Sequence, residues 1–214
     1  MIIHNTIPII TFDMRLLVRD RGRIIADREI EPHSFVRNWY VVFLQQSVAQ
    51  ACRSANGLSV VNTAGVSYSS DTFSSLGLGL TLGAVKAGAG VTTFGLLVGT
   101  SGADFAFSQY AMQALIPHGD TTGKLSYAAM PDPVKSDNGA ERRITWTRQF
   151  SNNTSGDITV REIGWAVNGW KGTASTPFLW LREVLIGAAE VALTPGQQLE
   201  VQLAIKLIYP ETIS

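Results

Sequence analysis

The closing segment of the chain constrains the fold most. Leu199, Val201, Leu203, Ile205, Leu207 and Tyr209 alternate with Glu200, Gln202 and Lys206. A period of two sustained this long puts the apolar side chains on one face of an extended strand, which no helix does. Three further runs precede it. Ile144, Trp146 and Phe150 share a face, Thr145, Thr147 and Gln149 take the other, and Arg148 interrupts the apolar side. Residues 158–167 and 178–186 are apolar on both faces, with Glu162, Arg182 and Glu183 embedded. Turns are expected over residues 152–156 and at Pro195-Gly196, and a polar loop holding Trp170 over residues 168–177. Four strands without helix-length connections predict a mainly β fold, an antiparallel sandwich or jelly roll. The doubly apolar strands need cover on both faces, from a helix, a second sheet or another subunit.

Toward the N-terminus, residues 14–18 and 23–27 flank Asp20-Arg21-Gly22, a β-hairpin signature. Ser34 is placed to cap an amphipathic helix over residues 34–54. Phe35, Trp39, Val42, Phe43 and Gln46 recur there at helical spacing, and Val36, Tyr40, Leu44 and Val48 add a second stripe. So wide an apolar arc fits burial in its own domain or contact with a neighbour. The expected division is a hairpin plus helix, residues 1–55, packed on a β-domain, residues 56–214. A Gly-rich arm or loop, 57–92, opens the second part. Thr93 to Thr100 is another apolar run. Residues 105–116 fit a short helix or an extended arm, and residues 117–140 are dense in turn formers.

Charged residues make up 16% of the chain, against about 25% in an average soluble protein. So few charges predict that other subunits cover part of the surface. Net charge is zero and no like-charge block occurs, so no basic footprint for nucleic acid is expected. The one cysteine, Cys52, excludes an intrachain disulfide and a multi-cysteine zinc site. The N-terminus lacks a signal-peptide pattern, and the most apolar window, residues 35–48, is too short and polar to span a bilayer. A protein made and kept in a cytoplasm is expected, which leaves the sequons at Asn152 and Asn153 without weight.

Nothing spells out an active site. His4, His33 and His118 lie far apart in sequence, and only His118 and Asp120 form a close donor pair. No G-x-S-x-G motif occurs, and the glycines 77, 79 and 83 miss the phosphate-loop spacing by one residue. Glu162 and Glu183 are better placed for structural ion pairs with Arg148, Arg161 or Arg182 than for a glycosidase dyad. No catalytic residue, metal or cofactor is expected. Trp165, Trp170 and Trp180 suit core packing, a subunit interface or a glycan platform. The interface candidates are Phe35, Trp39, Tyr40, Phe43, Trp170 and Trp180.

Several stretches resemble virion structural proteins of tailed bacteriophages. They are Gly95-Leu-Leu-Val-Gly-Thr-Ser-Gly102, Gln109-Tyr-Ala-Met-Gln-Ala-Leu-Ile116, and Gly123-Lys-Leu-Ser-Tyr127 after His118-Gly119. Residues 150–164, Leu181-Arg-Glu-Val184 and Pro195-Gly-Gln-Gln-Leu-Glu-Val201 continue the likeness, and the hairpin and residues 34–38 also fit. The Gly-rich stretch 57–92 departs from it. The resemblance implies a β-sandwich component of the head surface, neck or tail, a decoration (cement) or collar protein foremost. It implies a homo-oligomer that binds capsid, portal, neck or tail subunits and is assembled in the host cytoplasm. A receptor- or glycan-binding tail-fibre sandwich, with Trp170 as the contact, is the alternative.

Overall fold

The computed structural model describes residues 9–47, 59–69, 85–171 and 174–209. In chain order the elements are β1 (Ile9–Asp20), β2 (Arg23–Ile30), α1 (Arg37–Ser47), β3 (Ser59–Val61), β4 (Ser67–Ser69) and β5 (Gly95–Gly99). There follow β6 (Ser126–Tyr127), β7 (Val134–Asp137), β8 (Glu141–Ser151), β9 (Ile158–Val160), β10 (Glu162–Lys171), β11 (Ala174–Val184), β12 (Val191–Leu193) and β13 (Gln197–Ile208). The fold is mainly β, with antiparallel sheets packed against each other and, among the described residues, a single short α-helix.

The larger sheet runs β2-β1-β13-β8, with β6 and β7 both on the far side of β8. The predicted period-two strand is its centre. β13 pairs with β1 from Gln197↔Asp20 to Ile208↔Ile9, and with β8 on its other side. The N-terminal hairpin is therefore a member of the main sheet rather than a unit packed on it. Arg21 (φ 47) and Gly22 (φ 80) make its turn, with positive φ at both central residues, as a type I′ two-residue hairpin loop requires. The smaller sheet is β11-β10-β5. Trp165 of β10 meets Trp146 of β8 between the sheets, with ring centroids 5.4 Å apart.

Both faces of β10 are buried from Glu162 to Gly169, as its composition demanded, and the chain itself supplies the cover. The larger sheet takes the Trp165 face. Residues 100–116, which form neither a helix nor a free arm, take the other face, with Met112 lying over Gly164.

The helix begins at Arg37, so Ser34 does not cap it. Residues 34–36 instead run along the outer edge of β11. Val36 N–H donates to Trp180 O (3.0 Å) and Arg182 N–H to Ser34 O (3.1 Å). An unpaired strand edge competed for these backbone groups and won. The predicted extension of the helix to residue 54, and residues 57–58 and 70–84 of the Gly-rich stretch, lie outside the described residues. The expected polar loop over residues 168–177 is instead largely strand. β10 continues to Lys171 and β11 starts at Ala174, so Trp170 stands in a strand paired with Ser175.

Candidate functional site

The aromatic residues proposed for an interface divide into two groups. Phe35 and Trp180 are buried, and Trp39 is partly buried against the same cluster. Trp39 lies 5.3 Å from Phe35, 5.6 Å from Phe12, 5.2 Å from Trp180 and 6.0 Å from Trp165. These residues belong to the core. Helical spacing marked a buried face, and α1 sits on β11 with that face inward. The indole N–H groups of Trp146, Trp165 and Trp180 meet no acceptor, so tilted and edge-on ring packing dominates at those three rings. The side chains of Phe43 and Trp170 lie outside the described residues.

Tyr40 is different. It is 44% exposed and its ring lies 5.5 Å from that of Phe107, itself 52% exposed. Tyr110, 43% exposed, lies beside Gly65, and Val66 and Leu115 are exposed large apolar residues as well. Phe107, Tyr110 and Leu115 all belong to residues 102–117, where Asp104 is the single charged residue. Of these residues the sequence pattern singles out Tyr40 alone. The signal of this surface was a run of aromatic and apolar residues without strand or helix period.

That irregular segment is held by the buried ion pair of Glu162 and Arg182, both side chains fully buried and 2.5 Å apart. Gly164 pairs with Arg182 across β10 and β11, so Glu162, two residues earlier, shares its face. Glu162 accepts from the backbone N–H of Gln113 (3.2 Å) and Ala114 (2.7 Å). Arg182 donates to Ala103 O (3.1 Å), Asp104 O (3.4 Å) and Gln109 Oε1 (3.3 Å). Every one of these partners lies in residues 103–114. The pair replaces the ladder hydrogen bonds the segment lacks. Gly99 makes room for it, because a Cβ there would meet the Glu162 carboxylate and come within 2.6 Å of Ala114 O.

Arg148 was expected to pair with a carboxylate, and here the expectation fails. Its guanidinium donates to the carbonyls of Ala128 (3.0 Å), Leu96 (2.9 Å), Gly88 (3.1 Å) and Val91 (2.7 Å). It lies 4.9 Å from the Tyr127 ring centroid and 5.8 Å from that of Phe150. Burial pushes its pKa down to about 10, so it stays charged at neutral pH, solvated by carbonyl dipoles. Burial pushes the Tyr127 hydroxyl up. Gly88, Val91 and Ala128 lie outside the strands, and Leu96 lies in β5. Glu183 takes the backbone N–H groups of His33 and Ser34 (both 3.2 Å), with His33 Nδ1 3.6 Å away.

Other expected donor groups do not converge. His118 Nδ1 accepts from Tyr127 N–H, and Asp120 accepts from Asn153. Among the described residues no three His, Cys, Asp or Glu side chains are grouped to hold a metal, and no helix is long and apolar enough to cross a membrane. No protein-family model, curated protein or solved structure matches the chain.

Proposed function

We propose that this protein is a structural assembly component of a tailed-bacteriophage virion, non-enzymatic, that self-associates and binds neighbouring capsid, neck or tail subunits. The observation that carries it is the exposed Tyr40–Phe107 ring pair, with Tyr110 exposed on the same nearly uncharged segment as Phe107. Aromatic enrichment with few charges characterises interface cores. The clasp beneath fixes this surface before any partner arrives, which lowers the ordering cost of binding. The sequence resemblance to virion proteins supports the same reading, and decoration or collar roles fit it best.

Edge-to-edge pairing through β2 is a poorer route. Ile25 is an extra residue between the Val18↔Ala26 and Arg19↔Ile24 pairs, a bulge that breaks the register. Self-pairing of the regular part, centred on Arg28, would set Asp27 opposite the other copy's Glu29.

Light scattering across a concentration series tests self-association, and cosedimentation with purified phage capsids and tails tests partner binding. Tyr40→Ser with Phe107→Ser is expected to weaken association at least about tenfold, the effect of losing one interface hot spot. A chain that stays monomeric and binds neither particle would refute the proposal.

A further inference from the structure

We propose that the Asn138-Gly139 turn is a site of spontaneous deamidation built into the β7–β8 hairpin. Asn-Gly is the dipeptide in which the following backbone nitrogen meets least steric hindrance. The chain contains three, at residues 56–57, 138–139 and 168–169. The first lies outside the described residues. The third is buried in β10, paired Asn168↔Pro177 and Gly169↔Thr176. Ring closure there would tear Gly169 from the sheet.

Asn138 and Gly139 are exposed in a tight turn closed by Asn138 N–H to Glu141 O (3.1 Å), with Gly139 at φ 86. The Asn138 Oδ1 accepts two backbone N–H groups, from Ala140 (3.1 Å) and Glu141 (2.7 Å). Donors so placed stabilise the negative charge that develops on this oxygen when its carbon is attacked. The attacking atom is the Gly139 nitrogen, and its N–H already donates to Asp137 Oδ1 (3.0 Å). Arg142 holds the other oxygen of Asp137 through Nε (2.9 Å) and Nη2 (2.7 Å). Nucleophile, proton acceptor and charge-stabilising donors thus occupy one turn. Beyond the adjoining residues, no heavy atom lies within 4 Å of a Cβ position on Gly139, which leaves room for water.

The Gly139 nitrogen bonds to Asn138 Cγ and passes its proton to Asp137. The carboxamide C–N bond breaks, and ammonia leaves with that proton. Water then opens the succinimide at either carbonyl, giving aspartate or isoaspartate, with no change of oxidation state. The product carries a new carboxylate between Asp137 and Glu141. The isoaspartyl form also lengthens the main chain of a tight turn, which disturbs the pairing of β7 with β8.

The test is peptide mapping of the full chain, incubated folded or unfolded in urea at the same neutral pH. It follows the one-mass-unit gain and isoaspartate at each Asn-Gly. Asn138 is expected to convert at least as fast folded as unfolded, and about a hundredfold faster than Asn168 in the folded chain. Folding normally slows this reaction, so a folded rate at Asn138 below the unfolded rate overturns the proposal. Asp137→Ala is expected to slow the folded rate about tenfold and leave the unfolded rate unchanged, the signature of a positioned proton acceptor. Equal effects on both would remove Asp137 from the mechanism.

Discussion

Replacing Arg182 by methionine tests the clasp directly. The variant keeps an unbranched side chain of similar length but removes every donor. Glu162 would then remain as a fully buried carboxylate with only the Gln113 and Ala114 N–H groups as partners. The carbonyls of Ala103 and Asp104 would lose the guanidinium. Removing one member of a buried pair costs about 3–5 kcal/mol, mostly the penalty of the charge left behind. For a chain of this size that lowers Tm by roughly 6–20 °C. Adding Glu162→Leu removes the stranded charge, so the double variant should be more stable than Arg182→Met alone, with a coupling of at least about 2 kcal/mol. Urea unfolding of the wild type, both single variants and the double variant closes the cycle. Hydrogen exchange at Gln113 and Ala114 should speed up in all three variants, because the Glu162 acceptor is lost or left without its counter-ion. A cost below about 1 kcal/mol for Arg182→Met, or simple additivity of the two changes, would show that the pair does not hold the segment.

Other outcomes can be checked alongside. Gly99→Ala should destabilise by several kcal/mol, on the order of an overpacked core site, because its Cβ meets backbone at Ala114 O as well as the Glu162 carboxylate. Gly164→Ala should cost less, because the atom in its way is the sulfur of flexible Met112; chemical denaturation that ranked them the other way would contradict this packing. Arg148→Lys should cost about 3 kcal/mol or more, since an ammonium cannot reach four carbonyls spread around a planar fork. Burial raises the pKa of Glu200, but hydrogen bonds from Gln149 and Gln202 and the charge of Arg19 outweigh it and hold the group below its ordinary value of 4.5. A depressed carboxylate contributes stability above its unfolded pKa and loses it as pH falls through the folded value. Glu200→Gln should therefore flatten the loss of stability measured below pH 4.5.

Much of the fold was legible because β8 buries one face and β13 gathers its large apolar side chains on one face. Burial of one face writes a period of two into any sequence, and that pattern needs no knowledge of partners. The doubly buried β10 and β11 were readable for the converse reason, since apolar residues at every position admit no solvent face. The Asp20-Arg21-Gly22 hairpin was equally local, being set by the residues that tolerate positive φ. The sequence also marked Glu162, Arg182, Glu183 and Arg148 as charges inside a core, because each interrupts an apolar run.

Only the tertiary structure decided what those charges meet. Glu162 and Arg182 join across one hairpin, but their remaining partners come from residues 103–114. Arg148 finds no acid and is solvated by carbonyls some 52 to 60 residues away and by one nearer, at Ala128. Ser34 satisfied a local capping rule, yet the open edge of β11 took the backbone of residues 34–36. Trp170 stood among turn formers, yet ladder pairing with Ser175 drew it into a strand. A side chain's type and its neighbours in sequence determine which face it prefers and whether it must be satisfied. Which group satisfies it depends on long-range packing, because unpaired carbonyls and strand edges become neighbours only after the sheets have met.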